Sequence, residues 1–249
     1  MVIYCAGRTK ASQYAAKRLI RLGISVVPEP DDSVTHLLLD VPSFGESGLL
    51  RSGERLDGIL AALPDSTTVC GGNLNHPQLE GYRKMDLLED ASYLAQNAYI
   101  TAECALDVAL PYLDITIRNC PTLIIGWGRI GKCLGQLLQS MGADVTIAAR
   151  KENDRAMIRA LGMKSVDTNT IDSLGKYRLI FNTAPELVLR KEEMKQCHAD
   201  CVKIDLASKP GMDDEDVIIA RGLPGIHFPE SSGQLIADTL LRLCKEEIL

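Results

Sequence analysis

Residues 122–132 read Thr122-Leu123-Ile124-Ile125-Gly126-Trp127-Gly128-Arg129-Ile130-Gly131-Lys132. The apolar run Thr122–Ile125 predicts a strand, Arg129–Met141 a helix opened by the glycine-rich turn, and Asp144–Ala148 a second strand at βαβ spacing. Within that frame each glycine has a mechanical task. Gly126 makes the tight turn, Gly128 lets the backbone approach a pyrophosphate, and Gly131 lets the helix pack on the strand. The helix N-terminus offers unpaired N–H groups and a positive dipole end to phosphates. Residues 122–150 are therefore expected to form a nucleotide-binding βαβ unit.

A P-loop is the nearest competitor, because Gly126–Cys133 approximates G-x-x-x-x-G-K-[S/T]. Its last position is Cys133, and a thiol is a poor Mg²⁺ ligand where that loop needs a hydroxyl. About 20 residues past the glycines, a site selective for NAD places an acid for the ribose 2′-hydroxyl. This chain has Ala149-Arg150-Lys151 there. A guanidinium can pair bidentately with a 2′-phosphate, and Lys151 adds a point charge. The expected cofactor is NADP (NADPH).

The alternation extends outward in both directions. Upstream, Val2–Cys5, a helix Ser12–Leu22 stopped by Gly23, and Ile24–Val27 begin another βαβ pattern. Thr35–Leu39 and Thr67–Cys70 are further strands, with a Pro/Gly/Ser-rich loop (Val41–Gly53) and a short helix, Leu56–Leu63, between them. A helix is expected over Thr101–Asp114, N-capped by Thr101 and bent by Pro111. Downstream come a helix Asn153–Leu161, strands Arg178–Asn182 and Cys201–Asp205, a short strand near Gly225–Phe228, and a helix Ser231–Glu247. The fold class read from this order is α/β, with two doubly wound parallel-sheet lobes of which the second is a Rossmann-type NAD(P)-binding domain. The expected boundaries are 1–95 for a substrate or partner domain, 96–230 for the cofactor domain, and 231–249 for a C-terminal helix returning to the first lobe.

Composition narrows the function. The chain has 249 residues, 46% hydrophobic, with a formal net charge of −6. That balance supplies no basic field for a nucleic acid. No apolar run approaches the ~20 residues needed to cross a bilayer, and Met1–Arg8 lacks the plan of a signal peptide. Eight cysteines without a compact framework suggest reduced thiols and a cytoplasmic location. Cys197-His198-Ala199-Asp200-Cys201 is the one local cluster, and it lacks the two further ligands zinc would require. It reads as thiols at a helix-to-strand junction, and no metal is expected.

In a doubly wound sheet, ligands lie beyond the carboxyl ends of the strands. That rule adds Asn182, Thr183, Ala184, Pro185, Asp205, Ala207 and Ser208 to the cofactor-binding set of Gly126, Trp127, Gly128, Arg129, Ile130, Gly131, Ala149, Arg150 and Lys151. Hydride chemistry also needs a proton acceptor, for which His227, Lys209 and Ser208 are the residues at hand. Asn97, Thr101, Glu103, Lys209, Ser231 and Ser232 are read as substrate contacts. A small-molecule acid is the expected substrate, with self-association as an expected assembly; a non-catalytic NADP-binding structural or sensory protein is the alternative.

Thr101-Ala102-Glu103, the 126–131 turn, Ala148-Ala149-Arg150, Ile204–Gly211 and Gly222-Leu223-Pro224-Gly225-Ile226 together give the chain a resemblance to the A-type subunit of dipicolinate synthase, clearest over residues 92–243. The resemblance implies an N-terminal substrate domain and a C-terminal NADP-binding domain. It also implies oxidation of a hydroxylated tetrahydropyridine dicarboxylate to pyridine-2,6-dicarboxylate during sporulation, and the partner it implies is a flavoprotein-like second subunit. The chain departs from the family pattern at Ala6-Gly7-Arg8-Thr9, where Gly-Gly-Asp is usual. It departs again at Phe228–Gly233, where Glu230 stands in place of a lysine. An acid at that point predicts weaker handling of a dicarboxylate.

Overall fold

A computed structural model describes residues 1–45 and 48–246. Glu46 and Ser47 of the Val41–Gly53 loop, and Glu247, where the last helix was expected to end, lie outside the described residues. In chain order the elements are β1 (Val2–Cys5), α1 (Lys10–Arg21), β2 (Ser25–Val27), β3 (His36–Leu38), α2 (Leu56–Leu60), β4 (Thr68–Gly71), β5 (Lys84–Asp86) and α3 (Ala91–Ala109). They continue with β6 (Pro121–Ile125), α4 (Arg129–Ser140), β7 (Asp144–Ala148), α5 (Glu152–Ala160), β8 (Lys164–Val166), β9 (Leu179–Asn182), α6 (Lys191–Met194), β10 (Val202–Asp205), β11 (Ile218–Ile219), α7 (Pro224–His227) and α8 (Pro229–Glu246). The chain divides into two units, Met1–Asn97 with Pro224–Leu249, and Ala98–Leu223.

The first unit holds a parallel five-stranded sheet in the order β2-β1-β3-β4-β5. Its core gathers Leu37, Leu39, Val69, Leu74 and Leu79 with the apolar face of α2. Each such side chain fully removed from water contributes roughly 1.5–3 kcal/mol. Thr9 caps α1 by accepting the Ser12 N–H, and Gly23, at φ +79°, ends it. The buried carboxylate of Asp40 fills the β1–α1 turn, accepting the Arg8 N–H, the Thr9 N–H and hydroxyl, and the Ser12 hydroxyl. α8 packs along α1. Gly233 makes that approach possible, since a Cβ there would stand 2.4 Å from the Ala11 carbonyl oxygen.

The second unit holds a parallel six-stranded sheet in the order β11-β10-β9-β6-β7-β8. Numbered within the unit and read from its other edge, that is 3-2-1-4-5-6, the order of a dinucleotide-binding Rossmann sheet. β6 is central, and its Leu123, Ile124 and Ile125 are fully buried. The register sets Ile125 beside Ala148 of β7 and beside Asn182 of β9. The three loops that follow these residues therefore leave the sheet at one level, on both sides of the point where the strand order reverses. Both lobes of the chain are thus all-parallel α/β sheets.

Three local expectations are corrected. The helix expected at Thr101 begins ten residues earlier, at Ala91, because Asp90 supplies the cap by accepting the Tyr93 N–H at 2.7 Å. Thr101 is buried in mid-helix, and Pro111 sits in a separate 3₁₀ turn, Leu110–Tyr112. The strand expected near Gly225–Phe228 is the short helix α7, opened by Pro224, whose fixed φ suits a first helical position. The sheet edge is instead Ile218–Ile219. β5 and β8, three residues each and beginning on a lysine, are too short to show a period in the sequence. No helix among the described residues is long and apolar enough to cross a membrane.

Candidate cofactor site

Gly126 turns the chain at the end of β6 with φ +103°, a conformation that favours glycine. A Cβ there would also meet Thr183 Oγ1 at 2.5 Å. Thr183 is held in place because its N–H and its hydroxyl both donate to the Ile125 carbonyl, at 2.8 and 2.9 Å. Gly131, buried in the first turn of α4, faces the Gly126 carbonyl oxygen so closely that a Cβ would lie 2.2 Å from it. Gly128, at the N-cap of α4, differs from both. Its φ of −77° suits any residue, and a Cβ there would meet nothing within 4 Å. Nothing among the described residues requires a glycine at that point.

These turns wall a cleft of about 310 Å³ at the carboxyl ends of β6, β7 and β9. Gly126, Trp127 and Gly128 form one side, Ala149, Arg150 and Lys151 a second, and Thr183, Ala184, Pro185 and Glu186 a third. Lys132 Nζ lies 5.8 Å from the centre of the Trp127 ring, and Trp127 is the protein's single tryptophan. The Ala149–Lys151 turn is braced from behind by Arg155. Its Nη1 lies 2.8 Å from the Ala149 carbonyl, 2.7 Å from the Arg150 carbonyl and 2.6 Å from Asp167 Oδ2. Asp154 and Thr168, neighbours of this brace in sequence, also line the cleft. Arg150 itself is exposed and pairs with Glu186, its Nη1 being 3.1 Å from Oε1.

Of the remaining residues read as cofactor contacts, Arg129 and Ile130 occupy the first turn of α4 outside the cleft wall. Asn182 and Asp205 are fully buried and committed to each other. Asn182 Nδ2 donates to Asp205 Oδ1 (3.1 Å) and to the Ala184 carbonyl (3.0 Å), while its oxygen accepts the Ala184 N–H. Asp205 accepts the Ala207 and Gly211 N–H groups at 2.9 and 2.7 Å. These two side chains shape the loops that follow β9 and β10 and do not line the cleft; Ala207 is buried and Ser208 exposed beyond them. Arg155, Asp154, Thr168 and Glu186 were not read from the sequence. Glu186 follows Pro185 at a strand end, so the strand-end rule could have reached it, whereas the bracing role of Arg155 depends on folded contacts.

The residues read as substrate contacts or proton acceptors are spread over both units. Ser208 and Lys209 stand together, exposed, in the loop after β10, while His227 ends α7 in the other unit. Thr101 and Glu103 follow the unit boundary on α3, and Asn97 precedes it. Ser231 is exposed, and Ser232 is buried on α8. Glu230 is exposed in the first turn of α8, where the helix dipole favours an acid, and accepts from Gln234 Nε2 at 3.3 Å. Arg8 pairs with Glu54. Among the described residues, no three His, Cys, Asp or Glu side chains gather in a way that could hold a metal ion. Cys197 and Cys201 lie between α6 and β10, where the neighbouring Cys201 thiol holds the Cys197 pKa below its usual value.

No protein-family model matches the chain. It is 27% identical over 213 residues to the A-type subunit of dipicolinate synthase from Bacillus subtilis (strain 168), a match covering 82% of this chain and 72% of that protein. The solved structure of the corresponding dipicolinate synthase subunit from Bacillus halodurans superposes with a TM-score of 0.82 at 23% identity, covering 97% of this chain and 96% of that one. A transhydrogenase structure from Sinorhizobium meliloti follows with a TM-score of 0.75 at 13% identity, covering 100% and 94%. The chain is thus similar in sequence to the A-type subunit of dipicolinate synthase, and it shares its two-lobed α/β fold with that subunit and with the transhydrogenase.

Proposed function

We propose that the chain binds NADP(H) in the 126–128/149–151/183–186 cleft and serves as the oxidoreductase subunit that forms pyridine-2,6-dicarboxylate from a hydroxylated tetrahydropyridine dicarboxylate. The observation that carries the cofactor reading is Gly128. Gly126 and Gly131 are explained by contacts within the protein, but a Cβ at Gly128 would point into open space at the N-terminus of α4. A ligand phosphate drawn close to that backbone is what a side chain there would obstruct. The α4 N–H groups would hold the pyrophosphate, and Arg150 with Lys151 the 2′-phosphate.

When bound, the oxidised nicotinamide accepts a hydride. Conversion of the substrate to the aromatic diacid requires loss of one water, one hydride and one proton. Two carboxylates taken from water each need a cation or several N–H donors, because an unpaired buried charge costs several kcal/mol. Lys209 and the flanking Ser208 are exposed donors in the loop after β10. The proposed partner is a second, flavoprotein-like protein; the relative's name, as one subunit of its synthase, supports a second subunit.

Trp127 provides the assay. Its fluorescence, and energy transfer from it to a reduced nicotinamide, should report NADPH binding, with NADH weaker. Arg150→Ala should weaken NADPH by about 1–3 kcal/mol and NADH little. Equal affinities for the two dinucleotides, or a preference for NADH, would sink the 2′-phosphate claim. NADP⁺-dependent formation of pyridine-2,6-dicarboxylate, with and without the second subunit, tests turnover. Cofactor binding without product under both conditions favours the non-catalytic reading.

A further inference from the structure

Arg150 does not wait for a 2′-phosphate unaccompanied. Glu186, from the loop after β9, places its carboxylate against the guanidinium, with Oε1 3.1 Å and Oε2 3.5 Å from Nη1. Both side chains are more than half exposed, at 66% and 52%, so the pair is held by geometry and not by burial. Asp154 lines the same cleft, whose described lining thus holds two cations, Arg150 and Lys151, and two carboxylates. The pair also stands between this cleft and an adjoining hollow of about 360 Å³ that Arg150 and Glu186 line in common with Arg190. A sugar 2′-phosphate, carrying a charge of about −1.5 to −2 at neutral pH, thus meets a wall that is formally neutral.

We propose that Glu186 is a specificity-determining residue: its carboxylate competes with a 2′-phosphate for Arg150 and offers an acceptor to an unphosphorylated 2′-hydroxyl. The assignment rests on the cleft being a nicotinamide dinucleotide site. Arg150 favours NADPH, Glu186 opposes that preference, and the chain's selectivity is the difference between them. An exposed pair near high-dielectric solvent exerts a modest force on a third charge, so the effect is a matter of several-fold and weakens with salt.

The test measures Trp127 fluorescence titrations with NADPH and NADH for the unaltered chain, Glu186→Gln, Arg150→Ala and the double variant. Glu186→Gln keeps the size of the side chain and an acceptor oxygen while removing the charge. It should raise the NADPH-over-NADH affinity ratio by about threefold to tenfold at low salt. In the Arg150→Ala background the same change should move the ratio by much less, because the competition runs through that guanidinium. Glu192→Gln, whose carboxylate pairs with Lys195, serves as the control and should leave the ratio unchanged. A ratio unmoved or lowered by Glu186→Gln, or an equal effect with and without Arg150, overturns the assignment while leaving the cleft a dinucleotide site. An unaltered chain that binds neither dinucleotide overturns the reading of the cleft itself, and this assignment with it.

Discussion

The two glycines flanking Arg129 and Ile130 should respond oppositely to the addition of one methyl group. At Gly131 the new Cβ would lie 2.2 Å from the Gly126 carbonyl oxygen and 3.1 Å from its carbon, both backbone atoms of the turn itself. No side chain can rotate away to relieve that contact, so the turn or the start of α4 must shift by about 1 Å. Overpacking of this kind costs about 1–3 kcal/mol or more, which lowers Tm by several degrees for a unit of this size. At Gly128 the methyl meets nothing within 4 Å. Losing an N-cap glycine costs about 0.5 kcal/mol, and the reduced freedom of the unfolded chain returns a similar amount. Gly128→Ala should therefore melt as the unaltered chain does while binding NADPH at least tenfold more weakly, whereas Gly131→Ala should lose both stability and binding. Differential scanning fluorimetry and Trp127 titration separate the two. Gly128→Ala with unchanged NADPH affinity, or Gly131→Ala with an unchanged Tm, would refute the reasoning.

Asp205→Ala leaves the Ala207 and Gly211 N–H groups without their acceptor and takes one of two acceptors from Asn182 Nδ2 in a fully buried site. A loss of about 3–5 kcal/mol is expected in urea unfolding, and a loss below about 1 kcal/mol would show that the loops do not depend on this carboxylate. Lys203 Nζ, 2.6 Å from Asp214 Oδ2, holds that carboxyl below its ordinary pKa by hydrogen bonding and charge. A depressed carboxyl contributes stability above its unfolded pKa of about 3.9, and the contribution is lost as pH falls through the lower folded value. Asp214→Asn should thus be less stable than the unaltered chain at neutral pH, with the gap closing below about pH 4. A gap that stays constant as the urea midpoint is followed down in pH would contradict the pairing.

Much of the cofactor half was legible from neighbouring residues alone. The strand at 122–125, the turn glycines and the helix at 129–140 are local facts, since a positive φ at Gly126 and the packing of Gly131 involve residues only five apart. The cation at the tip of β7 followed from spacing, and the parallel alternation of strands and helices fixed the fold class. Local reading failed where two signals compete at short range. Thr101 and Asp90 are both good caps, and only the helix formed from Ala91 onward decides between them.

Other features lay beyond any local reading. A return of the last helix to the first lobe was expected, but its packing along α1 in particular was not, because a loop-closing contact of that span has no counterpart in nearby sequence. The register Ala148–Ile125–Asn182 brings Arg150 beside Glu186, residues 36 apart, and so turns an apparently basic strand tip into a charge-balanced wall. Residue types and spacings determine which turns can approach a phosphate. Which charges share that turn is set by strand pairing, because an ion pair acts over a few ångströms in space whatever the distance along the chain.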